Sequence, residues 1–299
     1  MKKLPFLWLL GLLISVFACS KSDDGNSNND STIDKSANLL ATGDSAYDIL
    51  SNESYDKLLI EIGYVSGYQP TETAIANFTD FLKQHTFKED IEVIYKELES
   101  PNEESLSLQE ISDLEKENRT AYNTGSTLAI YIYFTDSPAE DDDEDEGLVT
   151  LGAVYRNTSM VIHEATVRKL AGQSFQIDVS DVEAATLNHE FGHLFGLVNL
   201  GTDMVEDHES QSENSDGEMV GDNHCNVDGC LMRAELTFSL SAKTFGMVEK
   251  NTYTKGFTPG CVLSGNSVLN LLQSKTSRGV EIPGLGVSCV HDIQANGAR

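Results

Sequence analysis

Apolar positions along the chain follow two spacings, one typical of buried strands and the other of amphipathic helices. Continuous runs rich in β-branched and aromatic residues predict strands, and they are KLLIEIGY (57–64), IEVIYK (91–96), TLAIYIYF (127–134) and two runs near 149–155 and 159–165. Helical spacing appears in TETAIANFTDFLKQH, SLQEISDLEKENRTAY and SDVEAATLNHEFGHLFG. The last two helices are predicted to open with capping boxes, Ser107 with Glu110 and Ser180 with Glu183.

The resulting order, β-α-β-α-β-β-β-α, predicts a mixed twisted sheet backed by helices, which is an α+β fold. Beyond Gly201 the regular spacings fade into a stretch rich in Gly, Asp and Cys. We therefore expect one domain over 53–299, in which an N-terminal lobe (53–198) is followed by an irregular C-terminal lobe (199–299). A cleft between the lobes would lie near the last helix.

The N-terminus has the layout of an export signal. A basic start precedes an apolar run that stops at Cys19, and this run is too short for a membrane-spanning helix. The sequence VFAC, which ends at Cys19, resembles the bacterial lipoprotein cleavage box, in which the cysteine is lipidated. We expect a signal peptide at 1–18, a flexible polar tether at 19–52 and an exported protein held by lipid on the bacterial cell envelope.

The charge of the chain restricts its partners. A formal net charge of −28 repels nucleic acid and anionic membrane surfaces. Attachment to a membrane would therefore come from the N-terminal lipid alone. We expect no nucleic-acid partner, and we expect a monomer.

Candidate chemistry is concentrated in HEFGH, residues 189–193. His189 and His193 are four residues apart, so on a helix both imidazoles project from one face and can bind one metal ion. Glu190 follows the first histidine, and its position suits a general base acting on a zinc-bound water. The motif predicts one catalytic Zn²⁺ ion.

The segment around this motif resembles the metzincin proteases, whose pattern is H-E-x-x-H-x-x-G-x-x-H. The chain matches it through Gly196, but Asn199 stands where the third histidine would be. Asn is a poor zinc ligand, and Asn199 is interpreted as a turn residue that closes the helix.

Further along, HCNVDGCLM (224–232) resembles the archaemetzincins, in which the third histidine is followed by Cys, four residues, Cys, one residue and Met. That resemblance, which covers about 100–230 and extends to bacterial lipoprotein membrane metalloproteases, implies His224 as third ligand and Met232 as the Met-turn residue below the metal. Residues 197–223 would then be an insertion. The residue types leave His208, Glu206 and Glu209 open as alternative third ligands.

The remaining cysteines form an even set in a chain expected to be exported. Two disulfides are therefore predicted among Cys225, Cys230, Cys261 and Cys289. Archaemetzincins carry a C-x-x-C pair that completes a second, four-cysteine zinc site. Because this chain lacks that pair, a second structural zinc is not expected.

Taken together, these patterns predict a zinc-dependent endopeptidase that acts on a protein or peptide through a Glu190-activated zinc-bound water. By the same resemblance, an extended substrate would pair with the strand at 148–157, where Gly152 permits close backbone approach. Two alternatives remain, a surface binding lipoprotein of the same fold with weak or no activity, and a zinc hydrolase acting on a non-peptide amide.

Overall fold

The structure is a computed structural model, and it describes residues 33–143, 148–173, 177–213, 216–233, 261–264 and 282–299. The described elements belong to one compact unit that runs from Asp34 to Arg299. Cys19 and the predicted signal peptide lie outside the described residues. Within the described ranges, no helix combines the length and the apolar character needed to cross a membrane.

A mixed sheet forms the centre of this unit. Its strands are β1 (Lys57–Val65), β2 (Asp90–Leu98), β3 (Thr127–Thr135), β4 (Leu148–Arg156), β5 (Ser159–His163) and the later β8 (Cys261–Ser264), in the spatial order β2-β1-β3-β5-β4-β8. The first three strands and β5 are parallel, whereas β4 is antiparallel to both of its neighbours. The predicted α+β class and mixed sheet are confirmed.

Helices cover both faces of the sheet. They are α1 (Ala46–Leu50), α2 (Glu72–His85), α3 (Leu108–Asn118), α4 (Glu164–Ala171), α5 (Val179–Leu194) and α6 (Val287–Ala295). Side chains of β3 alternate between the faces, as strand geometry requires. Ile130 and Ile132 join the larger core with α2 and α5, while Tyr131 and Tyr133 join a smaller core with Ile111 of α3.

The helix that carries the HEFGH motif, α5, is deeply enclosed in the fold. All its residues from Val182 to Leu194 are buried. Aromatic rings attach it to α2, with the ring centroids of Phe78 and Phe191 5.1 Å apart and those of Phe81 and Phe195 5.9 Å apart. This packing fixes the position of the motif relative to the sheet.

The predicted capping box of α5 is wrong. The helix begins at Val179, and Asp178 with Asp181 forms the box instead of Ser180 with Glu183. Glu183 is fully buried and accepts hydrogen bonds from the backbone N–H and the hydroxyl of Thr71, the N-cap residue of α2. Its carboxylate therefore joins two helices, a role that its position along the chain does not reveal.

Two other features of the chain differ from the prediction, the extent of the tether and the content of the C-terminal lobe. The expected tether at 19–52 overlaps the compact unit, because Ile49 and Leu50 of α1 are buried in the larger core. The C-terminal lobe, predicted to be irregular, contains an antiparallel hairpin made of β6 (Glu209–Glu213) and β7 (Met219–Cys225). Its strands are polar, so no alternation of apolar residues announces them.

Candidate metal centre

Three histidines converge at the C-terminal end of α5, and we call His189, His193 and His224 the histidine site. His189 and His193 lie one turn apart on α5 with ring centroids 4.9 Å apart. The β6–β7 hairpin returns the chain to this helix, which places the His224 ring 5.4 Å from His189 and 5.2 Å from His193. One ring nitrogen from each histidine lies within 4.8 Å of the others.

Backbone carbonyls orient two of these rings. Nδ1 of His189 donates to the Leu231 carbonyl at 2.7 Å, and Nδ1 of His224 donates to the Asp222 carbonyl at 2.7 Å. Each bond selects the tautomer that carries its lone pair on Nε2, as in the outer shell of metal sites. Nδ1 of His193 is buried without a hydrogen-bond partner in the described part of the chain.

Burial also controls the charge of the three rings. It lowers the pKa of His189 to about 3 and that of His224 to about 4, and it holds the pKa of His193 well below its usual value. The imidazoles are therefore neutral near pH 7, which is the form that binds a metal ion. A cluster of buried, neutral histidines matches the donor set of a catalytic zinc site, in which a fourth position stays open.

Glu190 lies beside these rings as a buried carboxylate. Neither of its side-chain oxygens has a hydrogen-bond partner among the described residues, and burial raises its pKa to about 8. With this pKa the side chain holds a proton near pH 7 when no cation is near, and a metal ion bound by the three histidines would favour the carboxylate form. Gly152 of β4, expected to make room for a substrate, lies against this side chain, because a Cβ atom there would stand 2.7 Å from Glu190 Cγ.

Met232 packs directly against the motif helix. A Cβ atom at Gly192, which lies between the two helical histidines, would stand 2.2 Å from Met232 Sδ. Met232 is fully buried, and its carbonyl accepts a hydrogen bond from the Cys225 N–H at 2.8 Å. The methionine therefore forms an apolar surface against α5 at the residue between His189 and His193.

The alternative third ligands lie elsewhere. His208 is buried in a separate cluster with Cys225 and Cys289. Glu206 is exposed, and the Glu209 carboxylate accepts from the Asn223 N–H at 3.1 Å. Of the candidates, only His224 belongs to the same group as His189 and His193 within the residues that the structure describes.

The predicted disulfides are not observed. Cys225, Cys230 and Cys289 are free and buried, and the side chain of Cys261, in β8, is not among those described. Cys225 and Cys289 converge with His208, and the sulfur atoms of Cys230 and Cys289 are 3.5 Å apart without a bond between them. The even number of cysteines predicted disulfides, whereas the fold places the imidazole of His208 beside Cys225 and Cys289.

The polar groups that orient the buried histidine rings were not predicted. The carbonyls of Leu231 and Asp222, which accept from the histidine rings, carry no side-chain signal in the sequence. Asp292, which bonds His208, lies 84 positions away from it and appears in the sequence as an ordinary residue of the C-terminal tail.

No family model matches the chain, and no curated protein matches it. Among solved structures, the chain is similar to archaemetzincin from Methanopyrus kandleri, with 13% identity and a TM-score of 0.43 over 82% of this chain and 96% of that chain. It is also similar to metalloproteinase-II from Bacteroides fragilis, with 15% identity and a TM-score of 0.30 over 53% of this chain and 47% of that one. The chemistry of the site follows from its own residues.

Proposed function

We propose that this protein is a zinc-dependent peptidase whose reaction takes place at the histidine site. The observation that carries the proposal is the group of three buried imidazoles beside a buried carboxylate that has no hydrogen-bond partner among the described residues. His189, His193 and His224 would hold the ion. A bound Zn²⁺ ion lowers the pKa of a coordinated water toward about 7 and polarises a substrate carbonyl.

Glu190 is the residue we assign to proton transfer. Its place next to His189 and against Gly152 directs the carboxylate into the space between α5 and β4. There it takes a proton from the attacking water and delivers the same proton to the leaving amine. A protein that only bound a ligand would gain nothing from a buried carboxylate without partners, so this feature favours catalysis over the surface-binding alternative.

The strand expected to receive an extended substrate is already paired. Segment β8 runs antiparallel to β4, with Val149 opposite Leu263, Thr150 opposite Val262 and Gly152 opposite Cys261. A peptide that bound along this part of β4 would have to displace β8, because each edge of a strand pairs with only one neighbour. We therefore propose that substrate access depends on release of β8.

The experiment is digestion of a mixed peptide library by the wild-type protein and by Glu190→Gln, with zinc content measured on the same samples. We expect Glu190→Gln to keep its zinc and to lose about 10²–10⁴-fold in kcat/KM. Glu117→Gln, which alters an exposed glutamate of α3, is the matched control and should cleave as the wild type does. Equal cleavage by Glu190→Gln, or no cleavage by zinc-loaded wild type, would contradict the proposal.

We propose separately that the chain is exported and anchored by a lipid on Cys19. Support comes from the basic start, the apolar run and the cleavage-box resemblance of the sequence. Metabolic labelling with palmitate in a bacterial host tests this, since the wild type should incorporate label and Cys19→Ser should not. Label in Cys19→Ser would show that the lipid is attached at another residue. An unlabelled wild type would contradict the proposal of a lipid anchor.

A further inference from the structure

A second convergence of metal-binding side chains lies beside the histidine site. It comprises His208, at the start of the β6–β7 hairpin, Cys225 at the end of β7, Cys230 in the loop that follows, and Cys289 in α6. One ligand atom from each of His208, Cys225 and Cys289 lies within 4.8 Å of the others. Cys230 Sγ is 3.5 Å from Cys289 Sγ. We call these four residues the thiol site.

The imidazole of His208 is held in the manner of a metal ligand. Its Nε2 bonds the Asp292 carboxylate at 2.6 Å, and the other oxygen of Asp292 accepts from the Val205 N–H at 2.7 Å. Nδ1 is buried and has no hydrogen-bond partner in the described ranges. A carboxylate that fixes one ring nitrogen and leaves the other for a metal ion is the usual second-shell arrangement of a zinc histidine.

Backbone N–H groups surround the sulfur atoms. Met232 N–H and Gly286 N–H donate to Cys230 Sγ at 3.4 and 3.2 Å, and Val227 N–H donates to Cys225 Sγ at 3.4 Å. Such an environment stabilises thiolate, the form of cysteine that binds metal ions.

The backbone is also shaped to fit this cluster. A Cβ atom at Gly286 would stand 3.1 Å from both Cβ and Sγ of Cys230, so glycine lets the start of α6 approach the loop closely. The Asn226 N–H donates to the His208 carbonyl at 2.8 Å, which holds the two ends of the hairpin together. These contacts bring groups from three separate segments into one buried volume.

From this geometry we propose that His208, Cys225, Cys230 and Cys289 bind a second Zn²⁺ ion in a closed structural site. Three thiolates and one imidazole form a complete tetrahedral donor set, which leaves no position open for catalysis. A disulfide between two of the thiols would leave the third unpaired, and it would give the buried Nδ1 of His208 no partner. Soft thiolate ligands also favour zinc over calcium or magnesium.

The site has a consequence for the first ion. Cys225 directly follows His224 in the chain, and Cys230 lies two residues before Met232. A metal ion in the thiol site therefore fixes both ends of the loop that carries the third histidine and the methionine. It also attaches α6, from the C-terminus, to that loop.

The test is to measure metal content and cobalt spectra of the full chain. We expect about two zinc ions per chain in the wild type and about one in both Cys289→Ser and His193→Ala. After replacement of zinc by Co²⁺, the wild type and His193→Ala should show the strong near-ultraviolet absorption of thiolate bound to cobalt. Cys289→Ser should lose most of that absorption, whereas failure at the histidine site alone would leave it unchanged.

Thiol alkylation of the native wild type avoids any dependence on variants that fail to fold. With zinc bound, Cys225, Cys230 and Cys289 should resist alkylation, and a chelator should make all of them reactive, as located by mass spectrometry. Rapid alkylation of these cysteines in zinc-loaded protein, or a disulfide among them in freshly purified protein, would overturn the proposal. So would an absence of thiolate-to-cobalt absorption in the wild type.

Discussion

Gly152 of β4 lies against the side chain of Glu190, and a Cβ atom at position 152 would stand 2.7 Å from Glu190 Cγ. Glycine at this strand position is therefore what leaves room for the buried carboxylate. Gly152→Ala should displace Glu190 and lower kcat/KM on the order of 10²-fold, because small misplacements of a catalytic group have effects of that size. Peptide cleavage at matched zinc content measures this.

The matched control for that substitution is Gly284→Ala, since a Cβ atom there meets nothing within 4 Å. It should leave kcat/KM unchanged. An active Gly152→Ala protein would mean that the carboxylate either moves without consequence or is not the proton carrier.

Met232 contributes to stability through its contact with α5. Met232→Ala removes a fully buried side chain that packs on Gly192, and it should lower the free energy of unfolding by about 2–5 kcal/mol. Met232→Leu keeps most of the volume and should cost less than about 1.5 kcal/mol. Urea unfolding of both variants decides the matter, and equal losses would show that volume is not what this position supplies.

The buried pair Glu164 and Glu183 should make stability fall as pH rises. Burial, together with the charge of Glu183, raises the pKa of Glu164 to about 9 from an ordinary value of 4.5. Between these two values the folded state keeps a proton that the unfolded chain releases. The stabilisation is thus complete below pH 4.5 and is lost as pH rises through 9, at up to about 1.4 kcal/mol per pH unit.

Glu164→Gln should remove that component of the pH dependence. Urea midpoints of wild type and variant are measured in chelator from pH 5 to pH 9. We expect the midpoint of the wild type to fall more steeply with pH than that of Glu164→Gln. Equal slopes would mean that another group is responsible. Glu89→Gln, on the surface, is the control, since its side chain is 80% exposed.

Pairing of β8 with β4 leads to a prediction about activity. Val262→Pro removes a backbone N–H and disfavours the strand, so it should release the β4 edge and raise kcat/KM toward long peptides. Val262→Thr keeps both the N–H and the β-branched shape and serves as control. An unchanged or lower rate in Val262→Pro, with zinc content intact, would mean that β8 does not limit access.

Prediction from sequence succeeded where the signal was local. The strands β1 and β3 are apolar runs because both of their faces are covered, and His189, Glu190 and His193 share one helix face. Helix α4 was missed because it starts at Glu164, directly after β5 ends at His163, with no turn residue between them. Local patterns carry no information on that kind of junction.

The distinction between His208 and His224 was beyond local patterns. Both are buried histidines close in sequence, and they differ only in what the fold brings to them. His189 and His193 of the motif helix meet His224, whereas Asp292 and Cys289, from the last helix, meet His208. Long-range contacts of this kind are also absent from a count of cysteines, which is why the prediction of disulfides was wrong.

The β6–β7 hairpin has one more consequence, which concerns how related proteins can be found. The third histidine reaches its place from the end of a hairpin, so its position in space does not depend on the number of residues that separate it from the second. Insertions of other lengths could end at the same point beside α5. A sequence pattern that fixes the spacing between these histidines would pass over such chains, while one that joins the HExxH helix to an unspaced H-C-x₄-C-x-M segment would recover them.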